Sequence, residues 1–398
     1  MSSSVENKRV VMVSMHRFPF GDAASNRMWA MARSIALGGS DVYVVGNGVL
    51  DQGLTKDGNW VSSQGILFKT VRSNKDSFFS RVVRRLFHVM YFHSALSGVM
   101  GKHVSCVVTT HAGLSLGLLF ACKFVWRKPL IVDCTEWHEA SQFSRGRFSA
   151  DYLLAKYKFD FLCPKADAVI CITNLLKQRF DKVGVRTLVV PPQVSSEDFV
   201  PHGRALDDGV LELFYAGTLA GKDDLKSFFA GLCLLTDQEL SRVRFTIAGP
   251  SPKEIGSLID SIGLESDRLR ARLRLLGRVS RSQVLSELSS KHFTVLLRPI
   301  SRYSMAGFPS KIPESLAAGT PVLVNLTSDL DIYLKDGDSA IIVRDLSPES
   351  VAIALRRALA LNPVDKDRMS LASTHLAATM FDYTVWGEEI TSFIESVA

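Results

Sequence analysis

The stretch Gly307–Val324, GFPSKIPESLAAGTPVLV, gathers more potential chemistry than any other part of this chain. Ser310 stands where a hydroxyl caps a helix beginning near Lys311. Pro313 is tolerated in a first turn, where its missing N–H costs least. The free N–H groups and dipole of such a helix suit an anion such as phosphate, and Lys311 adds a point charge. Glu314, one turn in, is an acceptor-only carboxylate that can take two hydrogen bonds from the vicinal hydroxyls of a ribose. It can also be an ordinary first-turn glutamate balancing the dipole, and the local chemistry leaves both readings open.

Other candidates are scattered along the chain. Gly21 lies in the loop after the first apolar run, where close backbone approach to a phosphate needs no Cβ. Asn26 and Arg27 open the next helical stretch, and His111 follows the apolar run VSCVVTT. Asp329-x-Asp331 in SDLDIY resembles a metal-binding pair but reads better as an acidic loop past a strand. The cysteines and histidines show no metal-ligand spacing, so neither a metal nor a cofactor is expected. In FFSRVVRRLFHVMYF, Phe78–Phe92, Arg81, Arg84, Arg85 and His88 fall at i, i+3, i+4 and i+7 on one helical stripe. With apolar residues around the rest, that pattern fits a helix lying on anionic lipid, and equally a core helix whose arginines meet solvent. No nucleic-acid recognition module is visible, and nucleic acid is not an expected partner.

The elements that must position these residues follow a simple rhythm. A chain of 398 residues, 46% apolar and 22% charged, is expected to form two globular domains. Its net charge of +7 suits anionic small molecules or lipid surfaces. Short apolar runs (RVVMVSM, DVYVVG, VSCVVTT, PLIVDC, DAVICI) alternate with helix-length stretches. Around 191–210 the rhythm breaks in PPQVSSEDFVPHGRALDDG, then restarts with LELFYAG, RFTIAG, LRLLG, FTVLLRP, PVLVN and SAIIV. This is an α/β pattern, two doubly wound parallel sheets that bind ligands beyond the carboxyl ends of their strands. The expected domains are 1–192 and 211–382, joined by a linker at 193–210, with a last helix at about 383–398 packing back on the first. Six cysteines without a CxxC pair read as buried thiols of a reducing compartment. The N-terminus has no apolar leader core, and the uncharged segment between Lys102 and Lys123 reads as a strand and a helix start. The expected location is cytoplasmic, with peripheral attachment to the inner face of a membrane.

In order and spacing the chain resembles the family-4 retaining glycosyltransferases of the GT-B fold, with two Rossmann-like domains facing across a cleft. The resemblance rests on FPFGDAASNR, DAVICITNLLKQRF, VVPPQVSSEDF, YAGTLAGKDDL, FTIAGPSP, LLGRVSRSQVLSEL and PESLAAGTPVLV. It implies a nucleotide-sugar donor, a glycan or lipid-linked acceptor, and a role in cell-surface or extracellular polysaccharide synthesis. The second glutamate of the family's Glu-x7-Glu motif, a ribose ligand, falls on Glu314, while the first falls on Ala306. The PSK form of this loop implies donor contacts from Phe308, Pro309, Ser310 and Lys311. Of the family's Arg and Lys that grip the diphosphate beside Gly217, the lysine matches Lys222, whereas Thr218 holds the arginine position. Arg278 and Val279 match the nucleobase wall. A histidine that contacts the transferred sugar falls on Thr135 or Glu136, with His138 nearby. The resemblance thus implies Lys222, Glu136 and His138 as the catalytic set and Asn26, Arg27 and His111 on the acceptor side. A non-catalytic glycosyltransferase-like partner and a sugar-nucleotide epimerase of the same fold are the alternatives.

Overall fold

The computed structural model describes residues 8–19, 22–47, 60–71, 95–96, 98–101, 103–199, 209–219, 222–263 and 266–398. Gly21 and the Arg81, Arg84 and Arg85 stripe lie outside the described residues. The chain divides into two compact units. One is Met1–Val194 with Ala306–Phe308 and Asp382–Ala398, and the other is Ser195–Met305 with Pro309–Phe381.

The first unit is built on eight strands: β1 (Arg9–Val13), β2 (Asp41–Asn47), β3 (Val61–Ser63), β4 (Ile66–Val71), β5 (Val104–Thr110), β6 (Leu130–Cys134), β7 (Ala168–Cys171) and β8 (Arg186–Val189). Their order is β3-β4-β2-β1-β5-β6-β7-β8. All neighbours are parallel except β3 against β4. Parallel strands covered on both faces read as unbroken apolar runs, and Val10–Val13 are accordingly all buried. The helix Ala23–Leu37 lays Met28, Met31 and Ile35 on this sheet, and the helix Gly387–Val397 adds Ile390 and Ile394 to the same core. Each such side chain contributes about 1.5–3 kcal/mol when fully buried. The two helices meet so closely that a Cβ on Gly38 would stand 1.9 Å from the Thr391 hydroxyl and 2.9 Å from the Gly387 carbonyl.

The second unit carries β9 (Leu211–Ala216), β10 (Val243–Ala248), β11 (Leu273–Gly277), β12 (Phe293–Leu296), β13 (Val322–Val324) and β14 (Ala340–Ile342). Their order is β11-β10-β9-β12-β13-β14, parallel throughout. Phe228, Phe229, Phe245 and Phe293 fill the core, with the Phe228 and Phe245 rings 4.9 Å apart.

Every run that the sequence marked as a strand forms one. β3, β4 and β8 were not anticipated. The turn between β3 and β4 holds Gln64 and Gly65 at φ 48° and 77°, the left-handed pair that a tight hairpin demands. β8 sits at the sheet edge with no fully buried residue. All six cysteines are free, and five are buried. Among the described residues no helix is long and apolar enough to cross a membrane.

Both sheets contain a point where the chain reverses its direction of growth. In the first unit β1 is flanked by β2 and β5, and in the second β9 is flanked by β10 and β12. Ligands of doubly wound sheets bind outside the carboxyl ends of the strands at such points.

Candidate active site

At the reversal point of the second unit, three charged side chains converge. Asp223 follows β9, Arg298 follows β12, and Lys311 opens the helix Lys311–Ala317. The Asp223 carboxylate accepts from Arg298 Nε at 2.9 Å and from Lys311 Nζ at 2.5 Å. Tyr215 Oη donates to the same carboxylate at 2.9 Å, and Lys311 Nζ sits 4.6 Å above the Tyr215 ring. Burial raises the Asp223 pKa, but Lys311 and Arg298 together outweigh it and hold the carboxyl below its ordinary range. Burial also pulls Lys311 below the usual lysine range, partly offset by Asp223.

Arg298 is held by its own backbone. Its N–H donates to Asn325 Oδ1 and its carbonyl accepts from Asn325 Nδ2, both at 2.8 Å. The side chain then gives only Nε to Asp223, so both Nη groups are without a protein acceptor among the described residues. Gly217 lies beneath this cluster: a Cβ there would stand 2.3 Å from Lys311 Nζ and 2.5 Å from Tyr215 Oη. Gly249, after β10, has φ 109°, and a Cβ would meet the Gly217 carbonyl at 1.8 Å. Lys311 is thus brought against bare backbone at the strand ends, with Arg298 across the shared Asp223, an arrangement that suits a polyanion.

The residues expected to hold the donor distribute around this cluster. Thr218 and Lys222 are exposed on the loop after β9, with Lys222 Nζ 4.9 Å over the Tyr303 ring. Arg278 is exposed just past β11, and Val279 packs beside Phe214 and Leu288. Pro309 is buried, whereas the buried Phe308 groups with the first unit. The helix does begin at Lys311, but Ser310 is itself in helical conformation and its hydroxyl caps nothing. An N-cap side chain reaches back only from an extended backbone, so the expected cap is corrected. Glu314 Oε1 accepts from Arg281 Nη1 at 2.7 Å, a partner contributed by the first turn of the helix Arg281–Ser289.

At the reversal point of the first unit the chemistry is different. His111 follows β5 and is 6% exposed, its Nε2 without a hydrogen-bond partner among the described residues. Burial, reinforced by Lys158, lowers its pKa to about 3, so the imidazole is neutral at physiological pH. Its ring meets Phe159 edge-on, and Trp137 stacks on the same Phe159 at 4.9 Å. Glu136 and His138 follow β6, with His138 Nε2 3.1 Å from Glu136 Oε2 and Nδ1 3.3 Å from Gln142 Oε1. The structure brings Glu136, His138 and His111 into one electrostatic neighbourhood.

Arg27 requires correction. Its guanidinium is buried, donating to both oxygens of Asp133 at 2.7–3.0 Å and to the Pro191 carbonyl at 3.0 Å. It is a structural tie between the helix Ala23–Leu37 and β6, with no surface left for an acceptor. Asn26, its neighbour, is partly exposed. The signal for the pair was present in the sequence, since Asp133 is the one charge in the apolar run LIVDC. A buried carboxylate of that kind needs a cation. Arg298 was missed although FTVLLRP likewise ends a buried strand in a charge.

Comparison with known proteins finds relatives in sequence and in fold. Residues 211–360 match the family described as glycosyl transferases group 1. The chain is 28% identical to a GDP-mannose-dependent alpha-(1-6)-phosphatidylinositol dimannoside mannosyltransferase of Mycobacterium tuberculosis, over 48% of each chain. It is 25% identical to a D-inositol 3-phosphate glycosyltransferase of Nocardiopsis dassonvillei, over 56% of this chain and 54% of that one. It therefore spans about half the length of these curated relatives. Among solved structures, sucrose-phosphate synthase from Thermosynechococcus elongatus superimposes with a TM-score of 0.71 at 13% identity, covering 98% of this chain and 99% of that one. The Anabaena protein HepE, in complex with UDP and glucose, gives 0.68 at 12% identity, covering 98% and 100%. The fold is GT-B, two Rossmann-like domains.

Proposed function

We propose that the chain is a retaining glycosyltransferase that moves a sugar from a nucleotide diphosphate donor to a glycan or lipid-linked acceptor. The observation that carries this reading is the Arg298–Asp223–Lys311 cluster at the carboxyl ends of β9 and β12, with both Arg298 Nη groups unpartnered among the described residues. Asp223 pairs with both cations. An arriving diphosphate takes over Lys311 and gains bidentate contact from Arg298, a role that Thr218 cannot fill from the loop after β9. Lys222 and Lys311 then stabilise the charge that develops on the departing diphosphate, without a metal or cofactor. Glu314 holds the ribose, with Arg278 and Val279 against the base.

The acceptor side falls to Asn26, His111, Glu136 and His138. A neutral imidazole that retains one unpartnered nitrogen suits a sugar hydroxyl better than an anion. The acceptor hydroxyl attacks from the face the leaving group departs, and its proton goes to a phosphate oxygen. One curated relative is named for a phosphatidylinositol dimannoside, which supports a glycolipid product for this chain, while the other is named for D-inositol 3-phosphate, a soluble acceptor. A cytoplasmic enzyme of cell-surface glycan synthesis fits that product. Titration with nucleoside diphosphates, by calorimetry on wild type and Arg298→Gln, tests the reading. Wild-type binding that falls about 10- to 150-fold in the variant supports it. Equal affinity in both removes Arg298 from the donor site. Donor binding without turnover against any acceptor would favour the non-catalytic alternative that Thr218 and Ala306 leave open.

A further inference from the structure

The helices that follow β5 and β6 turn their apolar sides outward. On the first, Leu116, Phe120 and Phe124 repeat at i, i+4 and i+8 and are 56–65% exposed, with the Phe120 and Phe124 rings 5.0 Å apart. On the second, Leu153, Tyr157 and Phe161 repeat in the same way and are 40–58% exposed, and Phe148 before them is 89% exposed. The β5-to-β6 and β6-to-β7 crossovers advance in one direction across the sheet, so right-handed connections set both helices side by side on one face. Lys158 of the second donates to the Ala112 carbonyl just before the first, at 2.6 Å. Exposed apolar side chains occurring singly are ordinary, but two adjacent helices with solvent-facing aromatic stripes are not.

The next helix on this face, Asn174–Asp181, supplies the contrast. It buries Leu176 and Phe180 and shows solvent a paired Lys177 and Asp181, 2.7 Å apart. Around the aromatic stripes the charges are instead one-sided. Segment 116–128 has three cations and no acid, and segment 143–165 has five cations and two acids. Lys123, Arg127, Arg145 and Arg147 are all exposed, and none has an acidic partner among the described residues. Asp160, by contrast, is already engaged by Lys156 and Arg179.

We propose that this face of the first unit docks on an anionic membrane surface, its aromatic side chains entering the headgroup boundary and its four unpaired cations meeting lipid phosphates. Aromatics sit readily at that boundary, and lysine or arginine stems lie along apolar surface with their charges outward. Unpaired cations around the stripes select a negative surface over a second copy of this chain, which would bring like charges together. The inference concerns the surface alone and stands apart from the reading of the donor site.

Vesicle co-sedimentation of the full chain tests it. Wild type is expected to sediment with phosphatidylglycerol vesicles at low salt, and about tenfold less with phosphatidylcholine vesicles or at high salt. A Phe120→Ser, Phe124→Ser, Phe148→Ser, Phe161→Ser variant is expected to lose binding at least about tenfold with an unchanged melting temperature, because these side chains are exposed. A Lys123→Glu, Arg145→Glu, Arg147→Glu variant is expected to lose the preference for the anionic lipid. Vesicle binding that survives both variants overturns the proposal. So does wild type that stays in the supernatant, or that forms a dimer which the serine variant abolishes without any vesicle binding.

Discussion

The two reversal points occupy equivalent places in their sheets, yet they are furnished in opposite ways. At β9 and β12 the chain assembles two part-buried cations around a buried carboxylate, with Lys311 over glycine backbone. At β1 and β5 it buries a histidine so thoroughly that the ring stays neutral, with Phe159 edge-on against it and Trp137 stacked on Phe159. One fold therefore offers a socket built on an ion cluster and one built on a buried neutral histidine. The difference lies in residues after the strands, not in the strands, which is how one scaffold supports different chemistries.

The charged socket should be the easier to break. Asp223→Asn leaves Arg298 and Lys311 close together without their shared counter-charge, and is expected to cost about 3–5 kcal/mol of stability in calorimetry of the empty protein. A nucleoside diphosphate should restore more of the melting temperature in this variant than in wild type, because the ligand replaces the missing charge. A loss that no diphosphate repairs would make Asp223 a structural residue only.

Lys222→Ala should lower turnover about 10²–10³-fold, or about 2.7–4 kcal/mol, with a smaller change in donor affinity. Single-turnover kinetics with a saturating donor separate the two, and an unchanged rate would move the leaving-group contact away from the loop after β9. Glu314→Gln is expected to weaken the free nucleoside diphosphate roughly 10- to 150-fold if the carboxylate holds a ribose. If its only duty is Arg281, about 46% exposed, affinity should be intact and the melting temperature slightly lower.

The neutral socket responds to acid. The His111 folded pKa of about 3 lies below its ordinary 6.5, so the unfolded chain binds the proton first. The stability this burial preserves is complete above about pH 6.5, and it is lost at about 1.4 kcal/mol per pH unit as pH falls towards 3. His111→Gln should flatten the dependence of stability on pH between about 6.5 and 5, measured by denaturant unfolding. An unaltered slope would mean that the ring is protonated in place.

Much of this architecture was readable because parallel strands buried on both faces leave long apolar runs, and RVVMVSM or RFTIAG admit few other interpretations. The β3–β4 hairpin escaped because SSQG carries its turn on a left-handed glutamine, a residue that does not advertise a turn. One short segment singled out Lys311 and Glu314, which the structure pairs with Asp223 and Arg281. Asp223 and Arg298 were not singled out, since 75 residues separate them and only the strand order brings them together. Arg27 was misassigned for the same reason, its partner Asp133 being 106 residues away.

The helix Gly387–Val397 completes the core of the first unit, although the whole second unit precedes it in the chain. During synthesis the ribosome therefore releases a first unit that lacks Ile390 and Ile394, with the surface around Gly38 still uncovered. The second unit, continuous apart from the short Ala306–Phe308 excursion, can close first. Maturation then runs against chain order: the half made earliest is finished last.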